Sequence, residues 1–451
     1  MSQDRKAPAV GPFYHAVWRW HFYAGLFVLP FLLLLALTGG LYLFKGEIDG
    51  LLYRDLATVQ PQAEEASPDQ WLAAAGEGVG GAPVSVLVPA RPDRAVRIDV
   101  QRPEGDIRTA FIDPYDATML GDTPQGGVLE FVKRMHSLTL VGPWANLLVE
   151  VVAGWTIVLV ATGLFLWLPR RRRAAALRFR SGDPARRPFW RDLHAVTGFY
   201  AGAVILFLAV TGMPWSAFWG DRVMGAVRES GLGRPAAPPA AESWTHVRHA
   251  RSPQGVGWTM EGVTLHVHPD HHQQPGSLAS VMKAVDASGM ARPYIVSIPS
   301  SPDLAWAVAY QGQGAENART LYIGGDGAVA GDVRYPDFGA GAKAFEWSIA
   351  VHQGTQYGWA NRIVMLLGCI AVWVLAISGA AMWWKRRARS PLWRRLGAPP
   401  APPGLHARAA VLGIVLPLAV LYPLTGLTLA VVMAFDRIIM RLRRVRAPRP
   451  A

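Results

Sequence analysis

The chain has 451 residues, 51% of them hydrophobic and only 17% charged, a balance that excludes an ordinary soluble globular protein. A net charge of +13 would suit nucleic acid, but its arginines abut long apolar runs, which assigns them to a membrane surface and excludes a nucleic-acid partner. The single cysteine, Cys369, excludes an intrachain disulfide, a cysteine-based zinc site and a CxxCH attachment motif.

Five apolar runs, roughly 22–44, 146–168, 196–219, 361–384 and 409–435, are nearly free of charge. Each is about as long as the ~20 helical residues needed to cross a hydrocarbon core of ~30 Å. The first is expected to be a retained spanning helix. Phe13, Tyr14, Trp18 and Trp20 precede it, and no small-residue cleavage site follows. Between the first two runs, VSVLV (84–88) and AVRIDV (95–100) alternate as strands do, and TAFIDPYDATMLGD (109–122) reads as strand, Asp/Gly turn, strand. Beyond the second run, Arg170, Arg171, Arg172, Arg173, Arg178, Arg180, Arg186, Arg187 and Arg191 fill a short link. The stretch after the third run contains a Pro/Ala linker (231–244), strand-like YIVSI (294–298) and AWAVAY (305–310), and the turn phrase TLYIGGDGAVAGD (320–332). Lys385, Arg386, Arg387, Arg389, Arg394 and Arg395 follow the fourth run.

Short basic links stay on the cytoplasmic side, which puts the N-terminus inside and the two large loops outside. A fifth span then leaves the tail bearing Arg437, Arg441, Arg443, Arg444, Arg446 and Arg449 outside, against that rule. The expected order is an N-terminus and first span (1–45), an outer module (46–135), an outer histidine segment and second span (136–170), and a basic link (171–190). A third span (191–219), a second outer module (220–351), a second histidine segment and fourth span (352–385), a link (386–404), a fifth span (405–436) and a basic tail (437–451) complete it.

The chain repeats itself. His21 and His194 each have Gly four residues on (Gly25, Gly198) and a Thr-Gly pair beginning 17 residues on (Thr38, Thr211). From His136, Gly142, Gly163 and Trp167 follow at +6, +27 and +31; from His352, Gly358, Gly379 and Trp383 follow at the same spacings. An internal duplication accounts for both sets. The fifth run echoes the first, with Arg408 at the register of the histidine.

An ionisable side chain at the start of an apolar helix needs a partner. Glycine at i+4 clears the same helix face for something flat and wide, and two imidazoles from two helices hold a b-type haem without covalent attachment. His21 and His194 are therefore candidate ligands of an inner haem, and His136 with His352, each just ahead of a span, of an outer one. The alternative for the inner pair is interhelical hydrogen bonding at close-packed Gly and Thr positions. For the outer pair it is a helix cap or a substrate contact. The tract LHVHPDHH (265–272), with His266, His268, His271 and His272, is either a transition-metal or substrate site or a solvated loop. No phosphate loop, dinucleotide fingerprint or hydrolase nucleophile motif is present, so electrons would come from another protein or from a quinol.

The HxxxG…TG pattern of the paired spans, IDPYDATMLGD, YIGGDGAVAGDV, RDLH and HQGxxxGWxNR resemble the PepSY-associated transmembrane proteins over nearly the whole chain. The resemblance implies a bacterial inner-membrane protein whose periplasmic loops are PepSY-like. It also implies haem b held by His21, His194, His136 and His352, and a ferric siderophore as substrate. The expected fold is a membrane helical bundle of about five transmembrane helices, a duplicated helix–loop–helix unit, with small α+β PepSY-like periplasmic modules. The expected function is dihaem electron transfer to ferric siderophore. A non-redox, membrane-anchored PepSY-type binding or regulatory protein and a metal or siderophore permease are the alternatives.

Overall fold

The computed structural model describes residues 12–168, 182–233, 244–246, 263–265, 276–301, 304–387, 417 and 419–445. In the first repeat the elements are α1 (Pro12–Tyr42), α2 (Lys45–Leu52), α3 (Arg54–Ala57), α4 (Pro68–Val79), β1 (Ala82–Val88), β2 (Val96–Gln101), β3 (Ile107–Ile112), β4 (Met119–Pro124), α5 (Gly127–His136) and α6 (Asn146–Trp167). The second repeat follows the same plan with α7 (Arg187–Gly212), α8 (Trp219–Glu229), β5 (Trp244–His246), β6 (Val263–Leu265), α9 (Leu278–Ala287), β7 (Tyr294–Ser297), β8 (Trp306–Tyr310), β9 (Arg319–Ile323), β10 (Val329–Arg334), α10 (Ala340–His352) and α11 (Gly358–Arg387). A last helix, α12, covers Pro423–Val445.

The chain forms two compact units. One contains residues 1–40, 134–223 and 363–451, and the other residues 41–133 and 224–362.

The first unit is helical. Among the described residues four helices are long and apolar enough to cross a membrane: Phe13–Tyr42, Pro143–Trp167, Arg187–Trp215 and Gly358–Arg386. Large apolar side chains on their outer faces, such as Leu26, Leu164 and Leu367, are exposed. In water these would be costly, but in lipid they face a solvent of their own kind. Between the helices, Ala24 and Val28 of α1, Val151, Val152 and Trp155 of α6, and Leu429 of α12 form a buried cluster. The Trp155 indole donates to Thr428 Oγ1 at 2.9 Å. The fifth apolar run is described only in part. Among the described residues only Pro423–Phe435 of it is an apolar helix, shorter than a full span. The helical backbone breaks at Tyr422 and restarts at Pro423, because a proline ring blocks the preceding turn and removes an N–H donor. Residues 409–416 lie outside the described part.

The second unit is built on one eight-stranded antiparallel sheet, ordered β10-β9-β8-β7-β1-β2-β3-β4. Each loop supplies four consecutive strands, so the expected pair of small modules is joined into a single sheet. The join is β1 against β7, with Ser85 opposite Ser297 and Leu87 opposite Ile295. Alone, each four-stranded meander would expose β1 or β7 as an edge with an unpaired ladder, and pairing them removes both edges. Strand alternation sends Val86, Val88, Ile98, Val100, Val296 and Val308 to one face, where Trp71 of α4 and Leu278, Val281 and Val285 of α9 cover them. Helix α4 is set by a Ser67/Gln70 capping box and by Pro68 in its first turn. Its Trp71 indole donates to the Pro114 carbonyl at 3.1 Å. The short hairpin β5–β6 stands apart as a two-stranded sheet.

Candidate functional site

Within the helical unit, His21 on α1 and His194 on α7 come together. Their ring centres are 6.2 Å apart and their planes nearly perpendicular, at 89°. Two imidazoles that each present a nitrogen about 2 Å from one metal ion have ring centres roughly 6 Å apart. The spacing fits two rings that share one metal ion, and it is also that of an edge-to-face ring pair.

Each ring is anchored through Nδ1 by the other spanning helix of its own repeat. His21 Nδ1 lies 2.9 Å from Thr162 Oγ1 on α6. His194 Nδ1 lies 3.0 Å from Ser378 Oγ and 3.1 Å from the Leu375 carbonyl on α11. Thr162 and Ser378 both stand 26 residues after the repeat's second histidine, so the duplication extends to this contact. The glycine after each hydroxyl residue makes room for the ring. A Cβ on Gly163 would stand 3.2 Å from His21 Cε1, and one on Gly379 would stand 3.7 Å from His194 Cε1.

The hydrogen bonds fix the tautomers. The Thr162 hydroxyl donates its only proton to the Val158 carbonyl at 2.6 Å, so towards His21 it accepts, and His21 Nδ1 carries the hydrogen. Ser378 donates to Leu375 O at 3.1 Å and likewise accepts from His194. The Leu375 carbonyl is acceptor only, which gives the same answer. Both rings thus keep an unprotonated Nε2, the state and second-shell anchoring of a metal-ligating histidine.

His136, the last residue of α5, repeats the arrangement against α1. Its Nδ1 is 2.9 Å from Thr38 Oγ1, and Thr38 donates to the Leu34 carbonyl at 2.7 Å, so this ring is also protonated on Nδ1. A Cβ at Gly39 would stand 3.2 Å from His136 Cε1. The Thr-Gly pair 17 residues after His21 is therefore a histidine dock, a role that spacing alone did not disclose. Along α1, His21 and Thr38 are about 26 Å apart at ~1.5 Å per residue. Phe27 and Phe31 lie between them with rings 6.3 Å apart, and Phe27 is 5.8 Å from Trp155.

Gly25 and Gly198 behave differently from the docking glycines. A Cβ at Gly25 would meet only Leu159 at 3.8 Å, and one at Gly198 only Leu375 at 3.5 Å. Both are ordinary contacts, so packing within the chain does not demand glycine there. By contrast, a Cβ at Gly154 would collide with Thr425. Glycine one turn beyond each imidazole is what a flat group laid against the ring would require. The residues present fit a bis-imidazole haem on three counts: ring spacing, tautomer and cleared helix face.

His352 ends α10 and belongs to the other unit. The tract His266, His268, His271 and His272 lies outside the described residues. Among the described residues no cluster of three or more His, Cys, Asp or Glu side chains is arranged to hold a metal ion. Arg191, at the end of the basic link, pairs with its neighbour Asp192 at 2.8 Å.

A family model described as the PepSY-associated TM region matches residues 18–386. No curated protein matches the chain.

Proposed function

This chain belongs to the PepSY-associated transmembrane family, and from that premise we propose that it is a bacterial inner-membrane protein that holds two b-type haems and reduces ferric siderophore at the periplasmic face. The observation that carries the reading is the shared state of three imidazoles, each donating its Nδ1–H to a hydroxyl oxygen whose own hydrogen is committed to a backbone carbonyl. In that state Nε2 is the ligating nitrogen. His21 and His194 would hold the inner haem iron, and His136 with His352 the outer one.

A haem held by two imidazoles supplies reversible one-electron chemistry without losing a ligand. Thr162, Ser378 and Thr38 set the angle of each imidazole, and Gly163, Gly379 and Gly39 let the rings approach the partner helix. The packed aromatic and aliphatic side chains between the two levels of α1 exclude water. Electrons enter from a cytoplasmic protein or a quinol. Reduction frees iron because oxygen ligands built for the hard ferric ion hold the ferrous ion weakly. The sheet unit, built from PepSY-like loops, faces the periplasm in this reading, as the basic links of the other side require.

The test is the absorption spectrum of the purified full chain, oxidised and after dithionite. The expected result is a Soret band that shifts on reduction, with sharp visible bands of six-coordinate haem. One observation favours a second reading: each His–hydroxyl bond also ties two helices of a repeat together, as a structural histidine would. A well-folded protein without a Soret band, even after haem is supplied during expression, would leave the non-redox, membrane-anchored reading standing.

A further inference from the structure

On the sheet face opposite α4 and α9, α2 and α5 wall a cavity of about 560 Å³. Small-molecule sites typically occupy about 300–1,000 Å³. The cavity lies wholly within the sheet unit, and its lining begins at Tyr42, the last residue of α1. A recess of about 100 Å³ adjoins it and shares Asp49, Leu87, Arg97 and Gly126.

Its charges are unbalanced. Lys45, Arg94, Arg97 and Lys133 line the cavity, against the carboxylates of Asp49 and Glu130. Each acid is already engaged: Asp49 with Arg97 at 3.6 Å, and Glu130 with Lys133 at 2.5 Å. Lys45 lies 5.2 Å over the Tyr42 ring and Arg94 reaches only the Thr58 hydroxyl at 3.4 Å. Among the described residues neither is within ion-pair distance of a carboxylate, although Asp49 acts on Lys45 and Asp93 on Arg94 from further away, so the lining itself carries four cations against two carboxylates. Asp99, in the recess, does not offset them. Its carboxylate accepts from Thr109 at 2.6 Å, Gln125 at 2.9 Å and Ser85 at 3.3 Å. A concave wall of one sign concentrates ligands of the other.

Two further features narrow the ligand. Oδ1 of Asp49 is buried without a hydrogen-bond partner, and burial pushes this carboxyl above the usual range. An orphaned acceptor at a cavity wall calls for a donor on the ligand. Leu87, Leu129 and the Tyr42 ring give the rest of the wall an apolar character suited to an organic body.

We infer that this cavity binds an oxygen-rich organic anion that also carries a hydroxyl or N–H donor, the chemistry of a negatively charged ferric chelate. The identification as iron chelate rests on the proposed function; the anion site does not. Lys45 and Arg94 make the new charge-assisted hydrogen bonds, Arg97 and Lys133 share theirs with the resident acids, and Asp49 accepts from the ligand. Helix α5, which presents Glu130 and Lys133 to the cavity, ends one turn later at His136.

The test uses the full chain in zwitterionic nanodiscs, with binding read as chelate retained in equilibrium ultrafiltration. The probes are an anionic ferric tris-catecholate, a neutral ferric tris-hydroxamate, and phosphatidylglycerol added to the nanodisc. The expected result is saturable tris-catecholate binding that weakens with salt, with no comparable binding of the neutral chelate. Since hydrogen bonds to charged groups are the stronger kind, Lys45→Gln with Arg94→Gln should weaken that binding about tenfold or more. Arg334→Gln, on the exposed edge strand β10, should leave it unchanged. Equal binding of the neutral chelate, or full affinity in the Lys45/Arg94 double variant, would overturn the inference. Saturation by phosphatidylglycerol alone, with no chelate bound, would overturn it in favour of a lipid headgroup. Because the assay needs no haem, a protein that takes up no haem when haem is supplied and still binds the anion would sink the reductase reading and leave this site intact.

Discussion

Replacing Thr162 with Val removes the oxygen that accepts from His21 Nδ1 and alters little else, because the two side chains share shape and β-branching. Thr162 is only 6% exposed, so water cannot take over the bond. The stranded Nδ1–H then costs about 1–3 kcal/mol of stability whether or not haem is bound. A second effect of similar size appears only with haem. Loss of a ligand's outer-shell partner typically weakens metal binding about 10- to 100-fold, or roughly 1.4–2.7 kcal/mol. Haem titration into haem-depleted protein, followed at the Soret band, should therefore show one of two sites weakened by that factor in Thr162→Val. The other site, whose His136 docks on Thr38, should titrate as before. Thr162→Ser keeps the acceptor and should restore the affinity, which separates ring orientation from helix packing. Equal haem affinity at both sites in Thr162→Val and the native chain, with only the melting temperature lowered, would refute the ligand role of His21 and return this bond to helix packing.

Three other outcomes follow from the same geometry. His194→Ala should lose or convert the inner haem and spare the outer one, and His352→Ala should do the reverse; intact bis-imidazole spectra in both variants would remove the assignment. Gly163→Ala should perturb the inner haem spectrum more than Gly379→Ala, because the new Cβ would stand 3.2 Å from one imidazole and 3.7 Å from the other; the opposite order, in spectra of haem-loaded protein, would mean the rings do not sit where these contacts put them. Reporter fusions at residues 90 and 280 should be active only in the periplasm and fusions at 180 and 395 only in the cytoplasm, and periplasmic activity at 180 or 395 would overturn the topology drawn from the basic links.

The spanning helices and the strands were legible because each depends on its own neighbours. Apolar length makes α1, α6, α7 and α11 on the runs read from sequence, although α1 and α7 begin about ten residues before their runs, and alternation makes β1, β2, β7 and β8 within a residue or two of theirs. The two turn phrases became β3–β4 and β9–β10 for the same local reason. The duplication, and with it the four histidines at matched positions, was also legible, since a repeat is a property of the sequence itself. The fifth run is described only from residue 417 on, where its helix restarts at Pro423.

Only the tertiary structure decided which distant pieces meet. Nothing in β1 or β7 names the other as its partner, and their pairing makes one sheet of two loops by joining residues as far apart in sequence as Ser85 and Ser297. Nor did the spacing show that Thr38, Thr162 and Ser378 are the residues on which the imidazoles rest. His21 meets its acceptor across 141 residues and His194 across 184. Whether an imidazole ligates through Nε2 depends on where its proton sits, and that is fixed by an oxygen on another helix whose own hydrogen is already committed to a backbone carbonyl. The sequence by itself determined which histidines recur at matched positions; the packing of helices decided which oxygen each imidazole meets and hence on which nitrogen its hydrogen sits.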